Sequence, residues 1–241
     1  MPTAHEHYAN HLARIYAWMN GGSDAAIAQG GREIDELGLA LAGAYVVDLG
    51  AGFGKHAIPL AERGARVLAI DSSSELLDAM SVVPPERGLR RVTADLLDFE
   101  RHLDGVPAAI LCLGDTVTHL QDMASVEALV RSAARVLPAG GALVVTFRDY
   151  STPRIGDERF VLVRGDEARV ATCFLEYGER TVRVHDWLLE RDGDHWQSHV
   201  SHYDKLRLAP DELAARMQAS GFDVRREAGH AGMVRLVARR T

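Results

Sequence analysis

Apolar side chains near the start of the chain recur at helical spacing. Tyr8, Leu12, Ile15, Tyr16 and Met19 fall at i, i+4, i+7, i+8 and i+11, one face of a 3.6-residue helix, and Asn20-Gly21-Gly22 stops it. A second helix is predicted over 23–39, with Ile27, Ile34 and Leu37 on one side. Gly30 and Gly31 oppose it, since each glycine costs about 1 kcal/mol in a helix interior. A regular alternation then begins. Short apolar strands are predicted over 44–47, 66–70, 89–94, 108–113 and 141–147. Helices are predicted between them over 55–63 and 74–80, and a longer one is marked by Val126, Leu129, Val130 and Ala133. Nearly continuous apolar strands separated by helices imply a parallel sheet covered on both faces.

The period changes after Tyr150. From 160 to 208 the helical repeat is absent, and residues alternate with period two: Val170, Thr172 and Phe174, then Val182 and Val184. Tyr177-Gly178-Glu179-Arg180 and Arg191-Asp192-Gly193-Asp194 read as hairpin turns, the second carrying the Asp-Gly signal. This predicts an antiparallel meander of three or four strands. The α/β pattern then resumes. Pro210 suits a helix first turn, Asp211 and Glu212 suit its dipole, Leu213 and Met217 face inward, and Gly221 ends the helix. Strands over 222–226 and 233–238 follow. The fold class is α/β: a Rossmann-like, seven-stranded, mostly parallel sheet with an antiparallel β insert after the fifth strand.

Composition narrows the functional classes. The chain has 241 residues, a net charge of −7 and scattered basic residues, which disfavours a nucleic-acid partner. No apolar run approaches the ~18 residues a membrane span needs. The first twenty residues lack the basic and apolar regions of a signal peptide, so the cytoplasm is the expected compartment. Cys112 and Cys173 sit in apolar stretches outside any CxxC pair and read as reduced core residues. His5, His7 and His11 read as a solvated helix face, and no metal site is expected.

The candidate chemistry sits in Asp48-Leu49-Gly50-Ala51-Gly52-Phe53-Gly54, between a buried strand and a helix. Glycines permit positive φ and let a ligand lie against bare backbone. A helix N-terminus adds free N–H groups and partial positive charge, which suit a carboxylate or phosphate. The dinucleotide fingerprint GxGxxG fits Gly50 and Gly52 but requires glycine where Lys55 stands. Two further acids follow the second and third strands. Asp71 can accept both hydroxyls of a ribose or act as a turn acid or helix cap. Asp95 also reads two ways, as a ligand contact or a turn residue. Three acids after three successive strands all lie at the carboxyl edge of the sheet, where open α/β sheets bind ligands.

GxGxG with an acid two residues ahead resembles motif I of class I S-adenosylmethionine-dependent methyltransferases. Leu137-Pro138-Ala139-Gly140-Gly141 resembles the turn before the fifth strand of that family, and the final helix and hairpin fit its order. The insert resembles the antiparallel lid of glycine and sugar N-methyltransferases. The resemblance implies an N-terminal helical cap over 1–42, a cofactor-binding domain over 43–155 and 208–241, and a lid over 156–207. It also implies S-adenosylmethionine as cofactor, S-adenosylhomocysteine as product and a small-molecule acceptor. The implied cofactor residues are Tyr16, Asp48, Gly50, Gly52, Gly54, His56, Asp71, Ser72, Asp95, Leu96, Leu113, Gly114 and Thr118. The loop after the fourth strand carries neither an (Asn/Asp)-Pro-Pro-Tyr motif nor a Pro-Cys nucleophile, which excludes the two DNA-directed subclasses that use them.

In-line methyl transfer asks the protein mainly to align acceptor, methyl and sulfur. An amine acceptor needs only a free lone pair, whereas a hydroxyl usually needs a base. His119, in the loop after the fourth strand, is the candidate base, with stacking or capping as its alternative roles. Acceptor contacts are expected from Trp18, Asp115, Arg148, Tyr150 and Tyr203. A nicotinamide-dependent oxidoreductase and a non-catalytic cofactor-binding protein are the rival readings. Pairing of lid strands across a homodimer is also considered.

Overall fold

The computed structural model describes residues 13–82 and 88–241. Tyr8, Leu12, His5, His7 and His11 lie outside the described residues. The helix predicted around Ile15 spans Ala13–Met19 (α1) and the next spans Ser23–Glu36 (α2). Gly30 sits in the interior of α2 for a steric reason: a Cβ there would lie 1.9 Å from the Lys55 carbonyl oxygen. The helix gives up propensity at this position to let its backbone touch the glycine loop.

The alternation gives β1 (Tyr45–Leu49), α3 (Ala57–Glu62), β2 (Arg66–Asp71), α4 (Ser74–Asp78), β3 (Leu89–Thr93), β4 (Ala109–Cys112), α5 (Met123–Val136) and β5 (Ala142–Phe147). After the insert come α6 (Pro210–Ala219), β10 (Phe222–Ala228) and β11 (Val234–Arg240). The helix predicted from 55 starts only at Ala57, because the turn that carries the glycines extends to His56. The seven strands run β10-β11-β5-β4-β1-β2-β3, and only β11 opposes its neighbours. Strand order reverses at β1, which has β2 on one side and β4 on the other. The carboxyl end of that junction is where a crevice opens in such sheets.

Alternate residues of the central strands enter two separate cores, which is why these strands read as unbroken apolar runs. Val47, Leu68, Ile110 and Val145 pack with α5 and α6 through Leu129, Val130 and Met217. Val46, Val67, Leu111 and Val144 pack on the opposite face with Ile34 of α2 and Ile58 and Leu60 of α3. Each such fully buried side chain stabilises the fold by about 1.5–3 kcal/mol relative to exposure.

The insert is a separate four-stranded antiparallel sheet: β6 (Phe160–Gly165), β7 (Arg169–Tyr177), β8 (Thr181–Asp192) and β9 (His195–Leu206), in sequence order. Both predicted turns fall between its strands. Its inner face, with Leu175, Val184 and Tyr203, packs on Ile15 of α1 and on Tyr150. Among the described residues no helix is long and apolar enough to cross a membrane, and no three His, Cys, Asp or Glu residues group to hold a metal.

Candidate active site

The glycine loop leaves β1 with Gly50, Gly52 and Gly54 at φ values of +72°, +55° and +93°, a region that disfavours side-chain-bearing residues. A Cβ on Gly50 would meet Thr116 Cγ2 at 2.3 Å, and one on Gly54 would meet Met80 Cγ at 2.6 Å. A Cβ on Gly52 would meet only Tyr16 Cε1, at 3.8 Å. Gly50 and Gly54 are therefore required by protein packing, whereas Gly52 leaves bare backbone facing open space. The expected free N–H groups are largely used by the protein itself. Gly50 and Ala51 donate to the Ile70 carbonyl, Gly52 N–H donates to Asp71 Oδ2 at 2.8 Å, and Gly54 N–H donates to the Ala51 carbonyl. The Asp48 carboxylate accepts from the N–H of Ala57, the first residue of α3. The loop thus offers shape and apolar backbone more than a ring of anion-binding donors.

The acids that follow β2 and β3 both make local structural hydrogen bonds. Asp71 accepts from Gly52 N–H through one oxygen and from Ser73 N–H through the other, both at 2.8 Å. Asp95 caps a 3₁₀ turn, Leu96–His102, by accepting from Leu97 N–H. Both also line a cleft of about 320 Å³ at the carboxyl end of the sheet. Gly50 and Gly52 form its floor, Tyr16 one wall, and Gly114, Thr116 and His119 another. The Tyr16 ring is fixed edge-on against Phe53, with centroids 5.8 Å apart.

Beneath the loop lies a buried polar layer. Glu33 of α2 accepts from Lys55 Nζ at 2.7 Å and pairs with His56 Nε2 at 2.9 Å. Burial opposes the ionised form of Glu33, but the hydrogen bonds and charges of His56 and Lys55 outweigh it and hold its pKa at about 2. Asp48 is 1% exposed, and burial pushes its pKa up to about 6 despite the nearby His56. Among the described residues its Oδ2 meets no hydrogen-bond partner.

Residues 46–141 match the family described as methyltransferase domain. That match covers 96 of the chain's 241 residues. Its relatives include the cypemycin N-terminal methyltransferase of a Streptomyces species, 34% identical over 113 residues, which is 47% of this chain and 44% of that protein. Another is the glycine/sarcosine N-methyltransferase of Aphanothece halophytica, 32% identical over 117 residues, 48% of this chain and 43% of that protein. The matches span less than half the length of these relatives. The CcbJ methyltransferase of Streptomyces caelestis shares the fold with a TM-score of 0.79 at 21% identity, covering 97% of this chain and 98% of that one. That coverage includes the antiparallel insert as well as the seven-stranded sheet.

Around this domain the structure gathers Tyr16, Gly50, Gly52, Asp71, Ser72, Asp95, Leu96, Gly114 and His119 at one cleft. Asp48, Gly54, His56, Leu113 and Thr118 lie outside its lining. Asp48 and His56 are buried under the loop, and Thr118 Oγ1 is turned back to the Asp115 carbonyl. The acceptor candidates lie off the cleft wall too. Trp18 Nε1 donates to Asp166 Oδ2 of the lid at 2.5 Å, with the Arg164 and Arg169 guanidinium groups beside its ring. Arg148 donates to the Ala231 carbonyl, and Tyr150 is buried against the lid. Asp115 is 4% exposed and pairs with Lys205 Nζ at 2.5 Å. Tyr203 stacks on His119, with centroids 5.4 Å apart and an interplanar angle of 16°. Sequence reasoning did not single out Leu76, Leu97, Thr116, Leu120, Gln121 and Ser125, which also line the cleft. Leu97 and Leu120 carry no motif. Ser125 had one usable signal, its place in the first turn of α5 after the capping Asp122.

Proposed function

We propose that the chain transfers the methyl group of S-adenosylmethionine to an amine nitrogen of a small-molecule acceptor. The observation that carries this reading is the arrangement of the cleft, with a bare glycine floor at Gly52 and one carboxylate after each of the next two strands. Asp71 lines the cleft with a carboxylate able to accept ribose hydroxyls, and Asp95 stands one strand further out for a base amine. Gly114, at φ +74°, has open space where a Cβ would project, which supports a ligand lying against it. Tyr16, Ser72 and Leu96 complete the enclosure. Residues 43–155 and 208–241 form the cofactor-binding unit of this proposal, 156–207 its lid, and 1–42 a cap that contributes Tyr16.

S-adenosylmethionine, when bound, supplies an activated methyl on sulfonium, so the acceptor must bring a lone pair in line with it. The chain's own part is to orient the acceptor and exclude water. His119 is placed to take a hydrogen bond or proton from it. Asp115, the nearest buried carboxylate in the same loop, is held by Lys205 and is not available as a base. This favours an acceptor that needs little base assistance, namely an amine. The names of the two relatives, an N-terminal and a glycine/sarcosine N-methyltransferase, support the same choice.

The test is release of S-adenosylhomocysteine by purified protein with matched amines and alcohols: glycine, sarcosine, a short peptide with a free N-terminus, an amino sugar, and the corresponding hydroxy compounds. Turnover with at least one amine is expected, rising with pH as the amine deprotonates. Turnover confined to the hydroxy compounds would overturn the nitrogen assignment.

A further inference from the structure

Lys205 is the least expected charge in the molecule. It lies on β9 of the lid, is 8% exposed, and reaches Asp115 in the loop after β4. A buried ammonium and carboxylate are retained at a desolvation cost of several kcal/mol per ion, so the pair needs a reason beyond stability.

The surroundings of Asp115 give one. It is a non-glycine residue at φ +77°, a conformation in which side-chain-bearing residues are strained. That conformation turns the chain from β4 into the 3₁₀ turn Thr116–His119, which brings His119 to the cleft. Four groups hold the turn. Asp115 N–H donates to the Thr146 carbonyl at 3.0 Å, its carbonyl accepts from Thr118 Oγ1 at 2.7 Å, its Oδ1 accepts from Arg148 N–H at 2.9 Å, and its Oδ2 accepts from Lys205. Burial works against the Asp115 anion, but Lys205, the Arg148 N–H and His119 hold its carboxyl below the usual range. On the lid side, Lys205 and Tyr203 are two apart on one strand and share its inner face. Lys205 Nζ is 5.6 Å from the Tyr203 ring centroid, and that ring stacks on His119.

We infer that Lys205 and Asp115 are a positioning pair, which locks the lid to the turn after β4 and so sets the Tyr203–His119 stack that backs the His119 wall of the cleft. The inference rests on the methyl-transfer reading for its kinetic consequence, but its geometric content stands alone. Neither residue touches the acceptor. Their role is to fix the distance from the lid to His119.

The test compares wild type with Lys205→Met/Asp115→Asn, which removes both charges, avoids an uncompensated buried ion and keeps a side chain tolerant of positive φ. Imidazole NMR signals of His119, assigned with His119→Gln, report the ring current of Tyr203. The double variant is expected to lose that ring-current shift and to keep S-adenosylhomocysteine affinity within about twofold, since the glycine loop and Asp71 are untouched. With the best amine of the panel, kcat/KM for the acceptor is expected to fall about tenfold or more while KM for S-adenosylmethionine stays level. An unchanged His119 signal in the folded double variant would overturn the inference. A wild-type protein that shows the shift but neither binds S-adenosylhomocysteine nor turns over any amine would overturn the methyl-transfer reading and leave the pair's structural role intact.

Discussion

Two regions around the cleft are built in different ways. The glycine-loop wall is local. Asp48 to Asp71 span two adjacent strands with the glycine loop and helix α3 between them, and the decisive contact, Gly52 N–H to Asp71, closes over 19 residues. The clasp between the insert and the rest of the chain, behind the cleft, is assembled from afar. Lys205 meets Asp115 across 90 residues of sequence, and Trp18 meets Asp166 across 148. A wall made of backbone conformation tolerates almost no added atoms, whereas a region held by side-chain clasps can loosen without losing the ligand. The first should govern cofactor affinity and the second acceptor alignment.

Gly50→Ala tests the rigid wall most severely. The new Cβ would sit at φ +72° and 2.3 Å from Thr116 Cγ2. Backbone strain alone costs about 1–2 kcal/mol, and with the clash calorimetry is expected to show S-adenosylhomocysteine affinity reduced about 100-fold. Asp71→Ala removes the acceptor of two backbone N–H groups, and the same titration is expected to lose about 2 kcal/mol. Near-normal affinity in either variant would place the cofactor elsewhere.

The buried acids under the loop give a pH test. Asp48 has a folded pKa of about 6, above its ordinary 3.8, so burying its anion destabilises the fold. That penalty is absent below pH 3.8, grows between 3.8 and 6, and is complete above 6. Asp48→Asn without ligand is therefore expected to be about 3 kcal/mol more stable than wild type at pH 8 and nearly equal at pH 4, as read from denaturant midpoints. Glu33 acts in the opposite sense. Its pKa is held at about 2, below 4.5, so its contribution is present above pH 4.5 and lost as pH falls toward 2. Glu33→Gln should lower stability above pH 4.5 and flatten the acid limb, the two proteins converging toward pH 2, and an unchanged acid limb would contradict the network seen with Lys55 and His56.

Trp18→Phe is the mildest change. It keeps the ring but removes the Nε1–H donor to Asp166. Faster hydrogen exchange in the β6–β7 hairpin with unaltered S-adenosylhomocysteine affinity is expected. A drop in affinity would mean that the lid contributes to the cofactor wall after all.

The same contrast explains what the sequence revealed. Strand and helix order and the antiparallel insert follow from period and turn residues, which are local signals, whereas the antiparallel final hairpin was implied by the family resemblance. Gly50, Gly52, Asp71 and Asp95 were legible because strand-end glycines and acids have few other reasons to occur in succession. Gly30 looked like a helix defect until Lys55 was seen against it. Asp115 looked like an acceptor contact because its loop leads to the cleft, and Trp18 because its helix closes over the cofactor in the resembled family. Only the tertiary structure shows Asp115 held by Lys205 and Trp18 by Asp166. Lys205 itself is one charge among alternating residues of β9, with no local mark of its burial.

The central claim is that this cleft is built for S-adenosylmethionine rather than for a dinucleotide. Calorimetric titration of the wild-type protein with S-adenosylhomocysteine and, separately, with NAD tests it directly. The account predicts one saturable site for S-adenosylhomocysteine and no heat with NAD; saturable binding of NAD with none of S-adenosylhomocysteine would contradict it.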